Sequence, residues 1–254
     1  MPIVTVLTDF GLTDPYVGQV KGAILGVAPG AQVVDLTHAV PPQDVVSGAF
    51  LLWSAVEVFP TGTVHLAVVD PGVGSARRAI ALQARRGDCL VGPDNGLLLP
   101  AAERLGGPVR VVVLSEPRYW RPGPLSGTFH GRDIFGPVAG HLAAGVALEH
   151  LGPPLADPLR LALPAPHGLD GEVIHVDTYG NLVTNLPAEA LPARYRVRLG
   201  EHLIEPRPHY AAAAPGALLA LVGSAGLLEL SARDASAAML TGAARGARVQ
   251  IEPA

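Results

Sequence analysis

Val68-Val69-Asp70-Pro71-Gly72-Val73-Gly74-Ser75-Ala76-Arg77-Arg78 is the stretch on which the reading of this chain turns. The apolar run from Val64 to Val69 predicts a buried strand. It ends in a carboxylate, followed by a proline, two glycines and an arginine. Open α/β sheets bind ligands beyond the carboxyl ends of their strands, and a strand-end Asp before a Gly-rich turn sits there. Gly72 and Gly74 permit close backbone approach to a ligand. Arg77 is near enough to return its guanidinium to Asp70. Taken alone, the stretch is equally compatible with an ordinary β-turn carrying a solvated Asp–Arg pair.

Upstream, Ile3 to Leu7 reads as a first buried strand and ends in Thr8-Asp9-Phe10-Gly11, a second strand-end carboxylate. Asp14-Pro15 predicts an N-cap and N1 proline for a helix that Pro29-Gly30 stops. Val33 to Leu36 predicts a strand, and Asp44 to Phe59 has helical periodicity. Strand–helix–strand–helix–strand order predicts a mainly parallel sheet with right-handed crossovers. Downstream, Ala79 to Gln83, Cys89 to Val91 and Val109 to Leu114 read as further strands. Gly92-Pro93-Asp94-Asn95-Gly96 reads as a tight loop opening a helix from Leu97 to Leu105. The aperiodic stretch from Glu116 to Thr128 is rich in Pro, Gly and aromatic residues, and loops of that length are usually functional. It delivers Phe129-His130-Gly131-Arg132-Asp133, followed by a small-residue helix to Ala144.

Composition then shifts. The expected organisation is an α/β domain over 1–152, a Pro-rich linker over 153–168 and a smaller antiparallel, barrel-like β domain over 169–254. The last is built from short strands, with Gly200 and Gly226 in hairpin-like turns.

With 254 residues, half of them hydrophobic (49%), the chain can bury a full core. The net charge of −4, with no basic stripe, argues against nucleic acid as a main partner. Lys21 is the one lysine. Cys89 is the one cysteine, which excludes an internal disulfide and a multi-Cys zinc site, and its apolar neighbours predict a buried inert thiol. No apolar run approaches the ~18 residues that span a bilayer. The N-terminus reaches Thr8-Asp9 too soon for a signal peptide, so a soluble cytoplasmic protein is expected.

Asp9, Asp70 with Arg77, and His130 with Arg132 and Asp133 all fall at predicted strand or loop ends, where a doubly wound sheet can bring them to one crevice. One chemistry this allows is a divalent metal held by Asp9, Asp70, His130 and Asp133. Against it, close ligand pairs such as Asp-x-Asp are absent and Arg77 would place positive charge beside the cation. In the second domain, Asp177-Thr178-Tyr179-Gly180-Asn181-Leu182-Val183-Thr184-Asn185 is dense in hydrogen-bonding side chains, although Asn and Gly are also what a plain hairpin needs.

These motifs together have a precedent. Thr8-Asp9-Phe10-Gly11, Val69 to Gly74, Gly92 to Gly96, Phe129 to Asp133 and Asp177-x-Tyr179-Gly180-Asn181-Leu182-x-Thr184-Asn185 follow one another in an order that resembles the S-adenosyl-L-methionine (SAM) hydrolases that form adenosine, the SAM hydroxide adenosyltransferases. These are relatives of the SAM-dependent fluorinase and chlorinase. The resemblance covers nearly the whole chain. It implies a homotrimer in which the SAM site lies between the N-terminal domain of one subunit and the C-terminal domain of the next, with SAM as substrate and no cofactor or metal.

By motif position the resemblance implies that Asp70, Arg77 and His130 hold the attacking water. It implies that Asp9, beside Phe10, grips the ribose hydroxyls. Asp177 and Ser224 match contacts to the methionine end, Asn181 an adenine contact, and the backbone around Arg233, Asp234 and Ala235 the rest of the adenine pocket. The halogenases have Tyr at the position of Asp70, Arg at that of Ala225 and Asn at that of Asp234. The Asp70 difference, and the lack of a surplus segment like their extra loop, point to water rather than halide as nucleophile. In this reading His130 accepts or orients the water's proton and Asp70 orients the group. A halogenase, a SAM- or adenosine-binding sensor without turnover, and a metal-dependent hydrolase are the alternatives.

Overall fold

The computed structural model describes residues 1–161 and 163–253. The chain divides into two compact units, Met1–Leu161 and Ala162–Ala254.

The first unit is built on a six-stranded sheet. In chain order its strands are β1 (Ile3–Thr8), β2 (Gln32–Thr37), β3 (Val64–Val68), β4 (Ala79–Ala84), β5 (Cys89–Pro93) and β6 (Pro108–Val113). Their spatial order is β2-β1-β3-β5-β4-β6. β2, β1, β3 and β5 run parallel, while β4 lies antiparallel to both of its neighbours. The alternation of an apolar strand assigns each face its own core. Val64, Leu66 and Val68 face a cluster with Val20 and Ile24 of α1 (Tyr16–Val27). Ala67 and Val69 face Leu52 of α2 (Val45–Ala55) and Leu99 of α3 (Leu99–Arg104). Helices thus cover both faces, as a mostly parallel sheet requires. A further helix, α4 (Gly136–Ala143), joins the α1 side.

Several local details differ from the sequence expectations. Pro15, not Asp14, occupies the N-cap of α1, with no side-chain cap, so that helix starts one residue late. Asp44 does cap α2, accepting from Ser47 N–H at 3.1 Å. The helix after Gly96 is only Leu99–Arg104, because β5 extends through Pro93 and the loop consumes the residues before Leu99. The segment from Pro153 to Leu159 is strapped to the first unit. Pro153 and Val111 backbone groups bond at 2.9 and 2.8 Å to Val113 and Leu155, and Leu159 N–H donates to Asp94 at 2.8 Å.

The second unit is a seven-stranded, nearly closed antiparallel barrel. Its strands are β7 (Asp170–Val176), β8 (Leu182–Pro187), β9 (Tyr195–Leu199), β10 (His202–Ile204), β11 (Leu218–Val222), β12 (Leu227–Ala232) and β13 (Arg248–Pro253). The order is β10-β9-β13-β7-β8-β12-β11. Pro206, just past β10, bridges Ala220 of β11, which brings the two edges together. A short helix, α5 (Ala237–Thr241), follows β12, and Val173, Leu182, Val197, Leu230 and Val249 meet inside.

Candidate active site

Strand register sets the level of the first group. Thr8 of β1 pairs with Val68 of β3, so Asp9 and Asp70 leave adjacent parallel strands within a residue or two of the same height. Behind β3, the Asn95 side-chain amide donates to Val69 carbonyl oxygen at 2.8 Å and fixes the strand end.

Arg77 returns to Asp70. Its Nε donates to Oδ1 at 2.8 Å and to Oδ2 at 3.0 Å, and its terminal NH2 group also meets Oδ2. The same NH2 lies 2.9 Å from His130 Nδ1. The Arg77 guanidinium carbon sits 5.1 Å from the ring centre of Phe135, which is fully buried. A planar cation packed on an aromatic face, with a carboxylate and an imidazole at its edge, is held in one orientation.

Arginine can only donate, so it fixes the imidazole. Nδ1 of His130 accepts, and the neutral ring carries its proton on Nε2. Burial, and then the Arg77 charge, hold His130 below the ordinary histidine range, while Asp70 and Asp133 oppose this weakly. The ring is therefore neutral at pH 7.

His130 reaches this point because of two glycines. Gly74 has φ +77°, and a Cβ there would lie 2.2 Å from the Gly127 carbonyl oxygen. The turn after β3 and the long loop before His130 thus touch backbone to backbone. A π-helical turn, Gly131–Phe135, then leads into α4.

Asp133 does something else. Its carboxylate is fully buried and receives Arg121 Nε and Arg132 Nε at 2.7 Å each and Ser126 N–H at 2.8 Å. Burial disfavours its charge, but Arg132, the Ser126 N–H and Arg121 outweigh that and hold it far below the usual carboxylate range. Asp94 is similarly occupied by Arg78 and Leu159 N–H. Among the described residues, no three His, Cys, Asp or Glu side chains gather as a metal ion would need. Cys89 is pushed up to about 11 by burial and then by Asp88, so its thiol is not a nucleophile at neutral pH.

Asp9 accepts from Gln43 N–H at 2.8 Å. Gln43 is held at φ +64°, an uncommon conformation for a side-chain-bearing residue. Phe10 forms an aromatic triangle with Tyr16 and Phe129, with ring centres 5.4 to 6.3 Å apart. That triangle ties the turn after β1 to the loop that carries His130.

The second unit holds its own cluster. Asp177 accepts from Tyr179 N–H, Asn181 N–H and the Asn181 side-chain amide, at 2.8 to 2.9 Å. Gly180, at φ +80°, packs where a Cβ would strike Ser236 Oγ at 2.0 Å. Asn181, Arg233 and Ala235 line a cavity of about 620 Å³ together with Tyr179, Tyr210 and Asp234. Asp234 is at φ +57° in the turn that bridges Ala232 to Ala235. Arg233 is pinned to Ala213 carbonyl oxygen at 2.8 Å. Ser224 lies in an exposed turn between β11 and β12, outside that lining.

Tyr210 and Gln43 did not stand out in the sequence. Tyr210 donates to Glu229 at 2.7 Å and is pushed up to about 12 by burial and then by that carboxylate. Its only signal was an aromatic residue in a Pro- and Ala-rich loop. Gln43 contributes a backbone N–H, which no side-chain pattern reports.

Comparison with known proteins fits this arrangement. Residues 4–152 match the SAM hydroxide adenosyltransferase N-terminal domain, and residues 171–250 match the corresponding C-terminal domain. A (R)-S-adenosyl-L-methionine hydrolase of Thermus thermophilus is 44% identical over 255 residues, covering 96% of this chain and 97% of its own. A fluorinase of Nocardia brasiliensis is 30% identical, over 99% and 97% of the two chains. The crystal structure of an uncharacterized conserved protein from Thermotoga maritima superposes with a TM-score of 0.90 at 35% identity, covering 98% of this chain and 99% of that one. The chain belongs to the SAM hydroxide adenosyltransferase family.

Proposed function

We propose that this protein hydrolyses SAM to adenosine and L-methionine, with Asp70, Arg77 and His130 holding the attacking water. The observation that carries the assignment is Arg77 bridging Asp70 and His130 at the end of β3. The water oxygen attacks the ribose 5′ carbon as the carbon–sulfur bond breaks. The bonding pair moves to sulfur and neutralises the sulfonium, and one water proton is released.

Water is a poor nucleophile, so the site must favour the developing hydroxide. The substrate sulfonium supplies positive charge, worth about 4 kcal/mol at 4 Å and an effective dielectric near 20, while the charge of Arg77 is largely offset by Asp70 and serves to hold the group in place. With Nδ1 occupied by Arg77, His130 presents Nε2–H and acts as a donor that orients the water oxygen. Asp70 is then the acceptor that orients the water's proton and receives it or passes it to solvent. A carboxylate in that position repels halide, which favours water.

Asp9, with Phe10 beside it, is the ribose-hydroxyl contact. Asn181 and the backbone at Arg233 and Ala235 are adenine contacts, and Asp177 and Ser224 serve the methionine end. The active species is a homotrimer with each site shared between neighbouring subunits. The family resemblance supports this, as does each unit carrying its own half of the contact set. Sedimentation at micromolar concentration is expected to give a trimer mass; a monomer that turns over SAM would overturn the shared site.

The test of the reaction is adenosine and methionine formation from SAM by wild type, Asp70→Ala and Arg77→Met. Loss in both variants is expected, and wild-type rates in both would sink the assignment. Chloride-dependent 5′-chloro-5′-deoxyadenosine would move the protein to the halogenases.

A further inference from the structure

The turn that carries Asp9 is tied to a buried chain of side chains that the reaction itself does not use. Thr8 is fully buried at the end of β1, and its hydroxyl lies 2.9 Å from His38 Nδ1. Phe10 N–H donates back to the Thr8 hydroxyl at 3.2 Å. On the far side of the ring, His38 Nε2 lies 3.0 Å from Asp35 Oδ1, off the line of a good hydrogen bond. Asp35 in turn pairs with Lys21 at 2.6 Å. Gly11 N–H donates to the His38 carbonyl oxygen at 2.8 Å.

With a neutral ring the chain takes one proton order. Asp35 favours a proton on Nε2 of His38, leaving Nδ1 as an acceptor. The Thr8 hydroxyl then donates to Nδ1, and its oxygen is free to accept from Phe10 N–H. His38 also begins the loop that ends at Gln43, whose N–H holds Asp9. Both sides of the Asp9 carboxylate therefore trace back to His38: Phe10 N–H through Thr8 to its imidazole and Gly11 N–H to its backbone carbonyl on one side, and the loop that starts at His38 and ends at Gln43 on the other.

We propose that Thr8, His38 and Asp35 form a positioning relay that sets the Asp9 turn and thereby the enzyme's selectivity for the ribose hydroxyls of its substrate. The proposal rests on the reading of Asp9 as the ribose contact. None of the three is among the assigned substrate contacts. Their role is to keep the carboxylate where two hydroxyls can be gripped together, which is what discriminates a ribose from a deoxyribose.

The same strand supplies a control. Thr5 of β1 bonds His65 Nδ1 at 2.8 Å, and His65 Nε2 lies 3.7 Å from Asp88, all fully buried. This second Thr–His–Asp chain starts in the middle of β1, ahead of Thr8, and holds no candidate substrate contact.

The test measures kcat and KM for SAM and for its 2′-deoxyadenosyl analogue in Thr8→Val, Thr8→Ser, Asp35→Ala, Thr5→Val and Asp9→Asn. Thr8→Val is expected to raise KM for SAM about five- to tenfold with kcat within about twofold, and to erode the preference for SAM over the analogue. Thr8→Ser restores it. Asp35→Ala, at the half-exposed end and therefore safe for folding, shifts the preference in the same direction by about two- to threefold. Thr5→Val lowers the melting temperature and leaves the preference unchanged. A Thr8→Val protein, or failing its folding an Asp35→Ala protein, with wild-type preference would overturn the relay. So would equal losses on both substrates, which mark a merely structural role. If Asp9→Asn itself keeps the full preference, the ribose reading beneath the relay has failed and the relay falls with it. If Asp9→Asn loses the preference and Thr8→Val and Asp35→Ala keep it, only the relay has failed.

Discussion

Asp70 and Asp133 are both carboxylates clasped by arginine, yet their surroundings assign them opposite tasks. Asp133 is sealed: two guanidinium groups and a backbone N–H take its oxygens, and no part of it reaches solvent. Asp70 has one guanidinium, and that guanidinium spends its remaining reach on His130. The first arrangement satisfies every group internally and so can only hold the loop together. The second leaves an imidazole N–H and carboxylate lone pairs unspent at a strand end, where a small polar molecule can complete them. A paired carboxylate becomes a candidate for chemistry when its hydrogen bonding is left incomplete.

The contrast sets the largest expected effect. Asp70→Asn and Arg77→Met should each lower kcat per folded molecule by about a hundredfold or more, beyond whatever stability the broken pair costs. Asp133→Ala should do the reverse. It takes the shared acceptor away from two part-exposed guanidinium groups and from the Ser126 N–H, so denaturant unfolding should show a loss of about 1–3 kcal/mol. Activity per folded molecule should fall less than in the Asp70 variant. Equal losses of activity per folded molecule in the two variants would erase the distinction.

Gly74→Ala tests whether the two loops must touch. The new Cβ meets the Gly127 carbonyl and a backbone at positive φ. Separation of Arg77 from His130 should cost about tenfold in kcat/KM, with KM for SAM changed little.

Smaller effects follow from titration. His130 is held below the ordinary histidine value, so its protonated form is disfavoured in the folded enzyme. The acid limb of kcat/KM should therefore have its midpoint below about 6.5, and His130→Asn should remove that limb. For stability the carboxylates act in a lower pH range. Burial works against the charge of Asp88, but His65 and Arg86 bring it down to about 2. Asp133 is depressed further. Their contribution is complete above about pH 4 and lost as pH falls through the folded values. Urea midpoints should drop steeply below pH 4, and less steeply in Asp88→Asn.

Much of this was readable from the chain. The apolar run Val64 to Val69, closed by Asp-Pro-Gly, carried both a buried central strand and a carboxylate at its end. The short alternating strands after Gly168 carried an antiparallel barrel. Arg77 returning to Asp70 was legible because seven residues around two glycines make a tight loop. What was not legible depended on partners distant in sequence. Nothing local marks β4 as the reversed strand, since its direction is set by pairing with both β5 and β6. Asp133 looked like a third functional acid until Arg121 and Ser126 were seen to close on it. His38 was overlooked because a lone imidazole gives no sign of Thr8, thirty residues earlier in the chain. The role of Gln43 lies in its backbone, and the proton position on His130 follows only from the arginine beside it.

The most direct measurement is turnover of SAM in water enriched in oxygen-18, with the label located by mass spectrometry in both products. Attack by a held water on the ribose 5′ carbon predicts one labelled oxygen in adenosine, none in methionine, and loss of the signal in Asp70→Asn. Label in the amino-acid product, or labelled adenosine formed equally well without Asp70, would contradict the account.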